Sequence, residues 1–78
     1  MEIFLTLNNA KIKKTYTIVG MCKSIDIKTK TRLLELGFLP KQKVKVLSKS
    51  ISQCVLLVEV NYVALSIRKA EASCVVIK

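Results

Sequence analysis

Short runs rich in β-branched residues recur along this chain with the two-residue period of β-strands. Lys43 and Lys45 alternate with Val44 and Val46, and residues 62–67 repeat the pattern with other side chains. Val and Ile together are several times more frequent than Ala, which favours strands over helices. We therefore expect a mainly β fold.

The runs predict about five strands, over residues 14–22, 43–49, 54–60, 62–67 and 74–77. One short helix, over residues 26–36, lies between the first and second strands, and residues 68–73 allow a one-turn helix before the last. Gly20 predicts a bulge or a tight bend in the first strand. The fourth strand should turn Val63, Leu65 and Ile67 inward. These elements in 78 residues fit a single domain, over residues 1–78, that closes into a small SH3-like barrel.

The end of the helix carries the clearest local signal in the chain. Leu33 and Leu36 fall on one helix face, and Gly37 adopts a left-handed conformation readily at the first position past the helix. Phe38 then folds back onto Leu33, as the hydrophobic contact of a Schellman motif requires. Pro40 prevents the helix from continuing. The segment therefore predicts a helix, a glycine stop and a sharp turn.

Composition argues against an enzyme. The chain contains no His, so it offers no imidazole base and no imidazole metal ligand. Its five acidic residues are scattered, and its two glycines exclude glycine-rich phosphate-binding loops. We expect a protein without catalytic residues or a cofactor. We also expect no stoichiometric binding of iron, unless the fold gathers the cysteines.

The three cysteines, Cys22, Cys54 and Cys74, match no zinc-site spacing. Each stands beside aliphatic residues and is interpreted as a small core residue, with a metal or redox role as the alternative. An odd count and the lack of a secretion signal indicate a reducing, cytoplasmic setting. No stretch is apolar for long enough to predict a membrane-spanning helix.

Two surface features are candidate contact sites. Val55, Leu57 and Tyr62 predict an apolar patch, because a small barrel does not need apolar residues on both faces of a central strand. The alternative is that residues 3–7 or the curvature of the barrel cover that face. A net charge of +9 predicts a basic face for an acidic partner or an anionic membrane surface, or else a solvated face. Its candidate residues are Lys28, Lys30, Arg32, Lys41, Lys43 and Lys45.

Three segments resemble the ferrous iron transport protein A family, whose domain is called FeoA-like. They are TRLLELGFLP at residues 31–40, VKVLSKS at 44–50 and VEVNYVALSIRKAEASCVVI at 58–77. The resemblance runs from about Leu5 to Ile77 and implies an SH3-like barrel. It implies a structural role for the matching motif residues, which are Leu33, Leu36, Gly37, Phe38, Pro40, Ala64, Leu65, Glu71 and Ala72.

The resemblance also implies an accessory function. Proteins of this family are small cytoplasmic partners of ferrous iron transport protein B, a membrane permease with a GTP-binding domain. We therefore expect binding to the cytosolic part of that permease, which places this protein at the inner membrane only through its partner. Direct membrane insertion is not expected, and self-association should be weak at most. The candidate contact residues are Val55, Leu57, Tyr62, Lys30, Arg32, Lys43 and Lys45.

Two alternatives remain open at this point. The positive charge favours a nucleic-acid-binding barrel, although the few aromatic residues are not interleaved with basic ones as stacking platforms require. The same barrel also occurs as an appended domain in metal-dependent transcriptional repressors. Because no helix-turn-helix segment precedes it here, a separate FeoA-like protein without nucleic acid as a partner is the preferred interpretation.

Overall fold

The computed structural model describes residues 5–78. Its elements in chain order are β1 (Leu5–Thr6), a 3-10 turn (Leu7–Asn9), β2 (Thr15–Met21), α1 (Ile27–Glu35), β3 (Lys43–Ser50), β4 (Val55–Val60), β5 (Val63–Arg68), α2 (Lys69–Ala72) and β6 (Val75–Ile77). The expected mainly β fold is confirmed, with α1 between the first two long strands and the one-turn α2 before the last strand. Neither α1 nor α2, the α-helices of the described residues, is long and apolar enough to cross a membrane.

The strands form one antiparallel sheet in the order β1-β6-β2-β3-β4-β5. Residues 15–17 of β2 pair with β3, whereas Ile18, Gly20 and Met21 pair with β6, and the β2–β6 pairing has a register shift between Ile18 and Gly20. The bulge predicted at Gly20 is therefore confirmed. The bulge bends β2, which pairs with β3 in one half of the strongly bent sheet and with β6 in the other half.

The sheet is not closed, in contrast to the barrel closure expected from the sequence. Within residues 5–78, β1 and β5 are its two ends and no ladder joins them. The β1 strand has only two residues, and α2 begins directly after Arg68 and takes the chain off the sheet. A sixth strand is thus present, but it is too short to complete the ring.

Alternate residues of the central strands fill the core. Val44 and Val46 of β3 are buried, as are Leu56, Val58 and Val60 on one face of β4. Phe38 and Leu33 are fully buried against the same cluster. One core is therefore built from both halves of the bent sheet and from the end of α1.

The inward position predicted for Val63 is wrong, since its side chain is 55% exposed. Ile67, on the same face of β5, is buried, and Leu65 between them is half-buried. Burial rises along β5 toward α2, which packs on that end of the strand. Val63 begins an edge strand at the far end, where no element covers it.

The predicted helix stop is confirmed in detail. Asp26 caps the start of α1, where its Oδ1 accepts from the N–H of Thr29 at 2.7 Å. At the other end the N–H of Phe38 donates to the carbonyl of Leu33 at 3.0 Å. The N–H of Gly37 donates to the carbonyl of Leu34 at 3.1 Å, and the φ angle of Gly37 is 105°. These two bonds define a Schellman motif, which directs Phe38 into the core.

Substitution of Gly37 should destabilise the fold, and the loss should be larger for residues that adopt a positive φ less readily. A Cβ at Gly37 would meet only the Cβ of Asn61, at 3.9 Å, so the cost arises from the positive φ. We expect Gly37→Asn to lower the free energy of unfolding by about 1 kcal/mol and Gly37→Val by about 2–3 kcal/mol. Urea denaturation measures both values.

Gly20→Ala is the matched control, because a Cβ at that position has no atom within 4 Å. It should be neutral or slightly stabilising. Equal losses for Gly37→Asn and Gly37→Val would contradict the backbone explanation.

Candidate partner-binding surface

Tyr62 lies at the tip of the β4–β5 hairpin in a conformation that tyrosine seldom adopts. The turn has two residues, Asn61 and Tyr62, with φ angles of 52° and 65°. Such turns favour Asn at the first position and Gly at the second. The Tyr62 side chain is 98% exposed, so burial does not offset the backbone strain. Packing of the fold therefore does not account for an aromatic residue at this position.

A shallow groove adjoins the hairpin and brings three of the predicted contact residues together. Lys43, Lys45 and Tyr62 line it. The ammonium group of Lys43 donates to Thr17 Oγ1 at 2.8 Å, which holds this lysine beside β2. The groove thus combines two lysines with one exposed aromatic ring.

Sequence reasoning did not assign four other polar residues to this groove, Thr15, Gln42, Glu59 and Asn61. Strand pairing brings two of them beside Lys45, which lies opposite Thr15 on β2 and opposite Glu59 on β4. Only the strand register could have indicated that Thr15, Lys45 and Glu59 are neighbours, and the sequence does not fix that register. Because one carboxylate lies among two ammonium groups, the groove is positively charged overall.

Val55 and Leu57 lie on the outer face of β4, four and two residues before Glu59, respectively. Leu57 is 38% exposed and Val55 is half-buried. The residues opposite Leu57 on the neighbouring strands are Ser48 and Ser66, whose small side chains leave it accessible. The predicted apolar patch is therefore a strip along β4 that leads toward the groove.

The suggested cover for this strip, residues 3–7, lies partly outside the described residues, which begin at Leu5. Leu7 itself is fully buried in the core, on the inner side of the sheet. It therefore does not cover the outer face of β4.

The other predicted contact residues, Lys30 and Arg32, lie on α1 and line different depressions. Arg32 forms an ion pair with Glu71 of α2, and Lys30 lies near Cys22 and Phe38. The basic residues of α1 and β3 therefore do not share one depression. Sequence periodicity places residues on a helix face but does not fix how that helix packs on a sheet.

Glu71 joins three parts of the chain. Its Oε1 accepts from the backbone N–H of Arg68 at 3.0 Å, and its Oε2 accepts from the guanidinium of Arg32. Partial burial by itself raises the pKa of the Glu71 carboxyl, but these two hydrogen bonds and the nearby positive charges outweigh it. The net effect is a pKa below the usual range. Glu71 therefore ties α1 to the start of α2, which gives this motif residue a structural function.

The core location expected for the cysteines is wrong. Cys54 is exposed, and Cys22 and Cys74 are half-buried. Each lies just outside a strand, next to a turn, where side chains extend beyond the core. Cys22 and Cys74 are neighbours at the ends of β2 and β6, where the N–H of Cys22 donates to the carbonyl of Cys74 at 2.9 Å. Cys54 lies apart from them, in the β3–β4 turn.

Comparison with known proteins supports the family resemblance. A family model described as the FeoA domain matches residues 5–78. A search of curated proteins found no match for this chain. The family evidence therefore comes from the domain model and from solved structures.

FeoA of Stenotrophomonas maltophilia, crystallised with zinc, is 25% identical with a TM-score of 0.82, covering 95% of this chain and 89% of that chain. It is described as a procaryotic SH3 domain protein and a candidate activating factor for bacterial ferrous iron transport. The FeoA-like protein of Clostridium acetobutylicum is 19% identical with a TM-score of 0.83, covering 100% and 88%. These likenesses confirm the expected SH3-like fold.

A manganese-dependent transcriptional repressor also contains this fold, with a TM-score of 0.87 at 11% identity. The match covers 100% of this chain but 37% of the repressor. At that identity the likeness concerns the fold alone.

Loss of the Glu71 carboxylate should destabilise the protein in a pH-dependent manner. We expect Glu71→Gln to lower the free energy of unfolding by about 1 kcal/mol at neutral pH. The pKa of Glu71 in the folded state lies below the unfolded-state value of about 4.3. The contribution of its carboxylate to the free energy of unfolding is therefore complete above about pH 4.3 and disappears as the pH falls through the lowered pKa. Urea denaturation across acidic pH measures the difference.

Glu35→Gln is the control, since Glu35 is an exposed residue of α1 outside the Arg32–Glu71 pair. It should leave the stability nearly unchanged. A Glu71→Gln difference that persists at low pH would show that shape, and not charge, explains the effect.

Ferrous ion should not bind to the purified chain in stoichiometric amounts. Within residues 5–78, no three His, Cys, Asp or Glu side chains are grouped closely enough to hold a metal ion. Two thiols alone leave most of the coordination positions of Fe²⁺ to water. Anaerobic equilibrium dialysis tests this expectation, and one tightly bound ferrous ion per chain would overturn it.

Proposed function

This chain belongs to the FeoA family, and on that premise we propose that it is a non-enzymatic accessory protein of ferrous iron uptake. It binds the cytosolic part of the ferrous iron permease and modulates or assembles that transporter. Iron is the cargo of the permease and not a ligand of this chain. The proposed location is the cytoplasm, with the inner membrane reached only through the partner.

The exposed Tyr62 beside Lys43 and Lys45 is the observation that supports this proposal most directly. Aromatic residues are enriched among the side chains that dominate protein interfaces. Here an aromatic ring stands in a strained turn without a packing function, and a strained conformation is retained where the surroundings or the function require it. The neighbouring lysines favour an acidic segment of the partner and accelerate its association.

The strip of Val55 and Leu57 extends the same surface along β4. Together with the groove it offers an apolar part and a charged part side by side, as is common in protein interfaces. Lys30 and Arg32 lie outside this groove, so we assign them a secondary role. The proposed contact therefore centres on Tyr62, Lys43, Lys45 and Leu57.

Tyr62→Gly separates function from stability. Glycine accepts the positive φ, so we expect the free energy of unfolding to stay level or to rise by up to about 1 kcal/mol. Affinity for the cytosolic GTP-binding domain of the permease should fall about tenfold, since an aromatic anchor is lost. Titration calorimetry with the purified domain measures the affinity, and urea denaturation measures the stability.

Charge reversal provides the matched comparison. Lys45→Glu should weaken binding and flatten its dependence on salt concentration, whereas Lys28→Glu, on the exposed face of α1, makes the same change outside the groove. Equal losses for both variants would indicate general charge attraction without a specific groove. Absence of binding by the unmodified chain would overturn the proposal.

The net charge of +9 favours nucleic acid binding as the second candidate function. The exposed aromatic residues needed for base stacking are scarce, since within the described residues Phe38 and Tyr16 are buried and only Tyr62 is exposed. A salt titration with a duplex oligonucleotide decides between the two functions. Binding at roughly micromolar concentration in physiological salt, with a steep loss as salt rises, would favour nucleic acid.

A further inference from the structure

Cys22 and Cys74 occupy directly opposed positions at one end of the sheet. In the β2–β6 ladder Gly20 lies opposite Val76 and Met21 opposite Val75, so Cys22 and Cys74 form the next pair in register. The backbone bond of 2.9 Å from Cys22 to Cys74 shows that the two strands remain adjacent there. Opposed residues of antiparallel strands have Cα atoms about 4.5–5.5 Å apart, within the range that a disulfide spans.

The two thiols are also chemically unequal. Each affects the ionisation of the other, and the Cys22 thiol lies 3.6 Å from Ser24 Oγ. The neighbouring Cys74 thiol, assisted by Ser24, lowers the pKa of the Cys22 thiol. The same partnership, together with burial, raises the pKa of Cys74 to about 11. Cys22 is thus the stronger candidate for the thiolate, and Cys74 retains its proton.

From this pairing we propose that Cys22 and Cys74 form a reversible intramolecular disulfide by exchange with a low-molecular-weight disulfide. The Cys22 thiolate attacks one sulfur of the small disulfide, whose S–S bond breaks and releases one small thiolate. The Cys74 thiol then loses its proton and attacks the Cys22 sulfur, which releases the second small thiol. The two protein thiols are oxidised by two electrons, and the small disulfide is reduced to two thiols that take up the two protons.

Cys54 does not take part in this reaction. It precedes β4 in the β3–β4 turn, and its Sγ lies 3.7 Å from the carbonyl oxygen of Ile51. In a reducing compartment the Cys22–Cys74 bond would form only when small disulfides accumulate, as expected for a redox-responsive site. This inference concerns the opposite-strand cysteines alone and is independent of the proposed contact with the permease.

Exchange with glutathione disulfide tests the inference on the full chain. After incubation at mildly alkaline pH and acid quenching, intact-protein mass spectrometry should show the loss of two hydrogen atoms, in the unmodified chain with or without one glutathione added to the exposed Cys54. Peptide mapping should identify the Cys22–Cys74 link. Cys54→Ser should also lose two hydrogen atoms but gain no glutathione, because it lacks the exposed thiol and still contains the Cys22–Cys74 pair. Glutathione should restore the original mass.

Single-cysteine variants resolve the order of the steps. Cys74→Ser should accumulate a mixed disulfide at Cys22, and Cys22→Ser should react more slowly at Cys74. In concentrated urea the preference for the Cys22–Cys74 link should be lost, which shows that the native sheet selects it. Stable glutathionylation of the unmodified chain without an internal bond, or a link that involves Cys54, would overturn the inference.

Discussion

The bend of β2 holds the two halves of the sheet around one core. The first residues of this strand pair with β3 and the last with β6, and the bulge between Ile18 and Gly20 bends the part that pairs with β6. The buried valines of β3 and β4 can therefore pack against β6 and Phe38 in so short a chain. A straight β2 would leave the two half-sheets without a shared interior, and a sheet with one unburied face is marginal at this size.

Several of the residues that carry the family resemblance also shape the fold. Gly37 and Phe38 end α1 and fill the core, while Glu71 and Ala72 fix α2. The proposed contact residue Tyr62, in contrast, makes no contribution to the core. Family membership is therefore visible in structural residues, whereas the proposed contact depends on a side chain that the fold does not require.

How far the sequence predicts the structure depends on the range of each interaction. The helix stop at Gly37 and Phe38 was predictable because the motif spans only a few residues, and strand alternation located the inward valines. The exposure of Val63 and the pairing of Cys22 with Cys74 depend on which strands are neighbours and which lie at an edge. Such long-range contacts leave no local pattern in a single sequence. The candidate groove was predicted only in part for the same reason.

The open sheet has a consequence for the behaviour of the protein in concentrated solution. Among residues 5–78, β5 is an end strand whose outer backbone groups have no strand partner, and Val63 and Ala64 at its exposed end carry no charge. A closed barrel would have no such edge. Here, electrostatic repulsion between molecules of charge +9 opposes the edge-to-edge aggregation that a closed barrel would prevent by having no edge strand. The colloidal stability of this protein therefore depends on its ionic surroundings more strongly than that of a closed barrel.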